Sequence, residues 1–357
     1  MRAPNHLVIY LSGRCNLACV YCYARFKGAP ISRKRLLAAL DIFFKNGITG
    51  KKITFLGGEP ALHPALLKAA VLRARLKAGR DLPIQVFTNG TMLTRSLLNF
   101  LSGRGVKIVL SLDGPASETD LNRRFKAGGG SVFSSAVKNA GNRENIVVSM
   151  VVTPQSALRL AENIESLLAL GFKRLAWAPD ISTLWNQRSL AELKKSALKA
   201  KAGYFKALRS GGRIYEIANI YEILKLARGG GKLPGCMNIT LGPDGFFYPC
   251  DKIFAGGLDR IKRFRVGADG TGREKFFRFA SALGAGSKQV LCAVAPWALR
   301  HFSPGGPGPQ DAAALKRQYQ ARKTVLAWLE GMAVEGCKYP AFRSVHGLKS
   351  CSRQKIR

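Results

Sequence analysis

A chain of 357 residues is long enough for one large domain or two moderate ones with a sizeable core. Apolar residues make up 47% of it and charged residues 22%, ordinary globular usage that excludes a largely disordered chain. No apolar run reaches the roughly 18 residues of a membrane helix, and the charge-free Leu7–Ser12 stretch is too short for a signal peptide. A cytoplasmic protein with no membrane partner is expected. Lys and Arg number 57 against 21 Asp and Glu, a net charge of +36. Such an excess attracts polyanions and admits nucleic acid as a partner. It is spread along the chain rather than gathered in a stripe or tail, and a uniformly basic surface accounts for it equally well.

In chain order, short Val/Ile/Leu/Phe-rich runs alternate with helical stretches. Strands are predicted at His6–Leu11, Lys52–Leu56, Pro83–Phe87, Val106–Leu110, Ile146–Val152 and Lys173–Ala178. Their near-continuous apolar character is that of strands covered on both faces of a parallel sheet. Helices are predicted near 32–46, 62–79, 94–103, 131–141 and 156–170, with Ser32, Thr94, Ser131 and Ser156 as N-caps. Six βα-type units fit an α/β barrel or an open doubly wound sheet, and in both the ligands sit at strand C-termini. After Pro179 the pattern changes: 189–228 reads as two helices ending at Arg228-Gly229-Gly230-Gly231. Gly/Pro-rich sequence then runs to about 310, and an amphipathic helix near 311–331 precedes a basic tail.

Eight cysteines in a chain of this kind argue for metal or catalysis rather than disulfides. Cys15, Cys19 and Cys22 lie near the start, the other five (Cys236, Cys250, Cys292, Cys337 and Cys351) in the last third. The first group has the spacing C-x3-C-x2-C directly after the first predicted strand. Three thiolates on a short loop can hold three corners of a [4Fe–4S] cube and leave the fourth iron open. A structural zinc site would want four N or S ligands and paired C-x2-C units.

Three further motifs follow predicted strands in order: Gly57-Gly58-Glu59-Pro60, Thr88-Asn89-Gly90 and Ser111-Leu112-Asp113-Gly114-Pro115. Together with the cysteine loop they make the chain resemble the radical S-adenosylmethionine (radical SAM) enzymes over roughly residues 6–180, with a partial second match beyond 236. The resemblance implies an α/β fold: a partial (β/α)6 barrel over 1–180, a helical linker over 181–231, and a degenerate SPASM/twitch-like auxiliary-cluster domain with a basic tail over 232–357. It implies that SAM binds the open iron through its amino and carboxylate groups. Gly57, Gly58 and Glu59 would meet the methionyl ammonium, Thr88 and Asn89 would border the cofactor, and Ser111 and Asp113 would contact the ribose. Tyr21 would pack near adenine, with simple loop packing as the plain alternative. Arg123, following Asp120 as in the D-x-x-R segment of peptide-modifying members, would pair with the SAM carboxylate, or stand as one solvated Arg among many.

Cys236-x13-Cys250, with its Gly242-Pro243-Asp244-Gly245 turn, resembles the opening of SPASM and twitch domains. Cys292-Ala293-Val294-Ala295-Pro296 resembles their next motif with Ala295 in place of a cysteine. One auxiliary [4Fe–4S] cluster is therefore expected, held by Cys236, Cys250, Cys292 and Cys337 or Cys351; buried or unliganded thiols are the alternative. Asp251 stands where sulfatase-maturing relatives place a proposed proton acceptor. The expected function is a radical SAM enzyme acting on a peptide or protein, supplied with electrons by a flavodoxin- or ferredoxin-like donor. The rivals are modification of RNA or a small molecule, and a non-catalytic iron–sulfur protein. With the first cluster cysteine at position 15, no N-terminal leader-binding domain is expected ahead of the barrel.

Overall fold

The computed structural model describes residues 4–24, 26, 28–45, 47–141, 146–180, 182–220, 237–282 and 312–348. Strands β1 (His6–Tyr10), β2 (Lys52–Leu56), β3 (Ile84–Thr88), β4 (Val106–Ser111), β5 (Ile146–Val152) and β6 (Arg174–Pro179) fall within one residue of the predicted ends. Between them lie α1 (Arg33–Lys45), α2 (Pro64–Ala78), α3 (Arg95–Gly103), α4 (Ala116–Asn122), α5 (Val132–Ala140) and α6 (Leu160–Ala169). The strands form one parallel sheet in chain order, as the helical crossovers require. A short β7 (Glu216–Ile217) extends it beyond β6.

On the other side of β1 the sheet is continued by a strand from far along the chain. β8 (Asn238–Leu241) runs parallel to β1 with His6 opposite Asn238, and β9 (Phe247–Tyr248) folds back on it antiparallel. His6 ties three strands together, its Nδ1 2.7 Å from Asn238 Oδ1 and its Nε2 2.8 Å from Thr54 Oγ1. Burial and Lys52 together lower its pKa to about 4.

Because side chains alternate along a strand, β1 feeds two cores. Leu7, Ile9 and Leu11 join the large core under the helices. Val8 and Tyr10 join a smaller one with Phe26, Tyr248, Cys250, Ile253 and Phe254. There Tyr10 stacks on Phe254 with ring centroids 4.6 Å apart. The early part of the C-terminal third is thereby packed onto the opposite face of the first strand.

Three of the predicted N-caps act as such. Ser32, Thr94 and Ser131 accept from the backbone N–H of Arg35, Leu97 and Ser134. Ser156 does not: its hydroxyl accepts from Thr153 N at 2.9 Å, closing a turn before a short 3-10 segment. Within 189–228 the described residues hold α7 (Gln187–Arg209), opened by an Asn186/Ser189 capping box. It stops because Gly211, at φ +70°, takes the left-handed position that ends helices. Residues 221–236, including the triple glycine, lie outside the described residues. Further on come α8 (Gly257–Ile261), α9 (Arg273–Ala282), α10 (Ala312–Gly336) and α11 (Pro340–Val345). Helix α10 packs along α7 and β6 and sets Trp328 edge-on to Trp177 at 5.3 Å. No helix among the described residues is long and apolar enough to cross a membrane.

Candidate active site

The loop after β1 that carries the three cysteines is clamped by backbone on two sides. On one side the β2 loop docks against it: Gly58 N donates to Ser12 O at 3.1 Å and Glu59 N to Arg14 O at 2.8 Å. This contact needs both glycines. A Cβ at Gly58 would lie 1.8 Å from Arg14 O, and Gly57 has φ +121° with Tyr10 only 2.9 Å from where its Cβ would be. On the other side the chain after α4 runs alongside as a short ladder. Ala18 N donates to Arg124 O at 2.7 Å, Val20 N to Asn122 O at 2.9 Å, and Lys126 N to Asn16 O at 3.0 Å. The stretch around Arg123 and Arg124 thus holds the cysteine loop through its main chain, a role no side-chain motif announces.

Cys15, Cys19 and Cys22 line two cavities, of about 500 and 1130 Å³. Cys15 Sγ accepts from Leu17 N at 3.4 Å and from Asn89 Nδ2 at 3.8 Å. Burial pushes both the Cys15 and the Cys19 thiols up, opposed at Cys15 by the Leu17 N–H and at Cys19 by Arg123. Among the described residues no three His, Cys, Asp or Glu side chains converge on one metal-ion position. A four-iron cube spreads its three thiolate corners wider than one ion does, and the adjoining space and N–H donors suit it.

The predicted cofactor-binding residues come together at the C-terminal ends of β1 to β4. Glu59 is 2% exposed. Its Oε1 accepts from Ala61 N at 2.9 Å and Thr88 Oγ1 at 2.7 Å, and its Oε2 from Asn89 N at 2.7 Å. Burial pushes its carboxyl up against the pull of these three donors. The carboxylate splices the β2 and β3 ends together, so what the Gly57–Glu59 loop offers a ligand is chiefly its backbone.

Asp113 and Arg123 form a bidentate buried pair, Nη2 to Oδ1 at 2.8 Å and Nε to Oδ2 at 3.1 Å. Tyr21 donates its hydroxyl to the same carboxylate, and Val151 N donates to Oδ1 at 3.0 Å. The Arg123 guanidinium lies 5.2 Å from the Tyr21 ring centroid. Burial works against its charge, but Asp113, Tyr21 and Cys19 more than offset that and hold it protonated. Asp113, with a side chain 0% exposed, anchors its neighbours, while Ser111, Tyr21 and Arg123 line the smaller cavity.

Asp251, just after Cys250, is buried but does not line that cavity; Tyr23 and Lys252 do. Lys252 Nζ forms an ion pair with Asp251 and donates to Tyr23 Oη at 2.7 Å, while Tyr23 donates to Asp251 Oδ2 at 3.2 Å. Burial opposes the charge on Lys252, and Asp251 outweighs it. Cys250 is 6% exposed in the second core. Cys236 and Cys292 lie outside the described residues, as do Ala295 and Cys351, whereas Cys337, offered above as a fourth ligand, is disulfide-bonded and has no thiolate to give a cluster.

The far wall of the cavity was not foreseen from sequence. Asp180, at the end of β6, accepts from Ser182 N and Oγ at 2.8 and 2.7 Å, and burial raises its carboxyl. Trp177, Asn219 and a face of α10 complete that wall. An Asp after a Trp-Ala-Pro strand end was a readable signal; the arrival of a helix from residues 312–336 was not.

A family model described as the Radical SAM superfamily matches residues 9–167. The serine-type anaerobic sulfatase-maturating enzyme of Klebsiella aerogenes is 29% identical over 194 residues, covering 50% of this chain and 47% of that protein. The antilisterial bacteriocin subtilosin biosynthesis protein AlbA of Bacillus subtilis is 27% identical over 187 residues, 50% of this chain and 40% of AlbA. The chain thus spans less than half the length of either curated relative. In three dimensions it resembles anSMEcpe solved with bound AdoMet and the Kp18Cys peptide, at TM-score 0.68 and 19% identity, over 92% of this chain and 98% of that one. At that identity the likeness shows the fold.

Proposed function

We propose, from the match of residues 9–167 to the Radical SAM superfamily, that the chain is a radical SAM enzyme that modifies a peptide or protein. The observation that carries this is the cysteine loop itself, with its three thiols beside a cavity of about 500 Å³ that the strand-end motifs wall in. Cys15, Cys19 and Cys22 would hold a [4Fe–4S] cluster, and SAM would take the space bordered by Gly57, Gly58, Thr88, Asn89 and Ser111. When bound, the pair supplies a 5′-deoxyadenosyl radical that removes a hydrogen atom from the substrate. The protein's part is to orient and to keep the site dry. The Tyr21–Asp113–Arg123 cluster fixes the cavity wall, and the apolar face of α10 covers it. Asp251, held by Lys252 and Tyr23, is the proton acceptor in this reading, and Cys250 with Cys236 and Cys292 would hold one auxiliary cluster.

The peptide or protein substrate is supported by the relatives, among them a sulfatase-maturating enzyme and a bacteriocin biosynthesis protein, and by a fold shared with a peptide-bound structure. A basic surface also suits an acidic flavodoxin- or ferredoxin-like electron donor. A second reading, RNA as substrate, rests on the net charge of +36. Retention on RNA across salt concentrations separates the two, because phosphate binding weakens steeply as salt rises. The decisive experiment is anaerobic reconstitution followed by an assay for 5′-deoxyadenosine. Wild type should form it, and replacing Cys15, Cys19 and Cys22 together should abolish it; undiminished cleavage in the triple variant refutes the proposal.

A further inference from the structure

Helix α10 brings Arg322, Val325, Leu326 and Leu329 to the cavity. Their spacing of i, i+3, i+4 and i+7 places them on one face of the helix. One cation in an otherwise apolar stripe is a costly placement unless it meets an anion. The other two cations of the cavity wall are already neutralised, Arg123 by Asp113 and Lys252 by Asp251. Among the described residues Arg322 has neither a counter-ion nor a hydrogen-bond partner. Two more polar atoms in the same wall are unmatched among the described residues: Trp177 Nε1, on a ring only 2% exposed, and Asn219 Oδ1. Both of these atoms are closed off from the open cavity, so the guanidinium is the donor a ligand can reach, and a carboxylate is the group that answers it. Arg forks match carboxylates in two-pronged fashion, and apolar surroundings strengthen the contact.

Resting on the peptide reading above, we infer that this wall recognises an acidic group of the substrate: an Asp or Glu side chain, or a terminal carboxylate, that docks on Arg322. The SAM carboxylate is the competing anion. It is disfavoured by place, because the Gly57–Glu59 loop ends β2, whereas the helix that carries Arg322 packs on β6, four strands along the sheet.

The test uses reconstituted holoenzyme with SAM and a library of random peptides, each acidic member paired with its amide counterpart. Alongside it, saturation-transfer NMR follows N-acetyl-glutamate amide and N-acetyl-glutamine amide as single-residue probes. Wild type should retain acidic members about tenfold or more over their amides, the scale of one charge-assisted hydrogen bond. R322Q should erase that preference, and R322E should turn it toward Lys-bearing peptides, a reversal that mere loss of packing cannot produce. The inference is overturned by equal retention of acids and amides on wild type, or by a preference that survives in R322Q. It is also overturned if R322Q weakens SAM in equilibrium dialysis about tenfold while leaving the acid preference intact. Should no peptide be retained while the glutamate probe still outbinds the glutamine probe, the peptide reading falls and the carboxylate site stands.

Discussion

Asp113→Asn removes one charge from a pair whose side chains are 0% and 7% exposed. The variant keeps the shape and one accepting oxygen, so Arg123 keeps part of its hydrogen bonding. What it loses is the compensation for a buried guanidinium. Breaking a buried pair from one side costs about 3–5 kcal/mol, and the retained acceptor puts this case near 3 kcal/mol. In a chain of this size each kcal/mol is worth about 2 °C of melting temperature, so a drop of about 6 °C is expected. Thermal unfolding of the apo protein, followed by circular dichroism under anaerobic conditions, reads it directly. The double variant Asp113→Asn/Arg123→Met should melt above the single one, because the stranded charge is gone. An Asp113→Asn melt within about 1 °C of wild type would refute the reasoning, as would a double variant that loses the sum of both singles.

Gly58→Ala should cut the iron bound after reconstitution sharply, because its Cβ would overlap Arg14 O, while Gly103→Ala, with nothing within 4 Å, should bind iron as wild type does. If the late cysteines hold one auxiliary cube, wild type should carry about eight irons per chain and the Cys15/Cys19/Cys22 triple variant about four; an iron-free triple variant would empty the C-terminal part. Asp251→Asn should lower substrate turnover per 5′-deoxyadenosine formed by about 10²–10⁴-fold; an unchanged ratio would leave Asp251 as an anchor for Lys252. For His6 the folded pKa, about 4, lies below the free value of 6.5. The unfolded chain therefore binds the extra proton first, and stability should fall by about 3 kcal/mol as pH drops from 6.5 to 4. His6→Gln should flatten that window in denaturant titrations, and an equally steep profile would show that another group is responsible.

The strands and the cysteine loop were legible because both are local signals. A run such as Ile146–Val152 tells of burial on both faces, and the Cys15, Cys19 and Cys22 spacing puts three thiols on one loop at a strand end. What sequence concealed was long-range. Asn238–Leu241 is too short to stand out, and its place beside β1 depends on His6 and Thr54, residues with no pattern of their own. Arg123 was legible as a cation with an anionic partner, but that partner is Asp113, and its neighbours' backbone carries the cysteine loop. Ser156 failed as a cap because Thr153 offered a nearer bond. Asp251 was legible as a carboxylate beside Cys250, whereas Lys252, the group between it and the cavity, reads in sequence as one basic residue among 57.

Strand β1 lies in the interior of the sheet, yet its two neighbours are made at very different times. Residues 52–56 emerge from the ribosome soon after it, but 238–241 follow roughly 180 residues later, about 10–35 s of synthesis. Throughout that interval one edge of an apolar strand, and the Tyr10 face meant for Phe254, wait without their partners. An unpaired edge of this kind templates pairing with other chains. Yield in the cell should therefore be set by how that edge is shielded during translation. A slowed ribosome between residues 56 and 238 should lower the soluble fraction, and holdase chaperones that cover nascent strands should restore it.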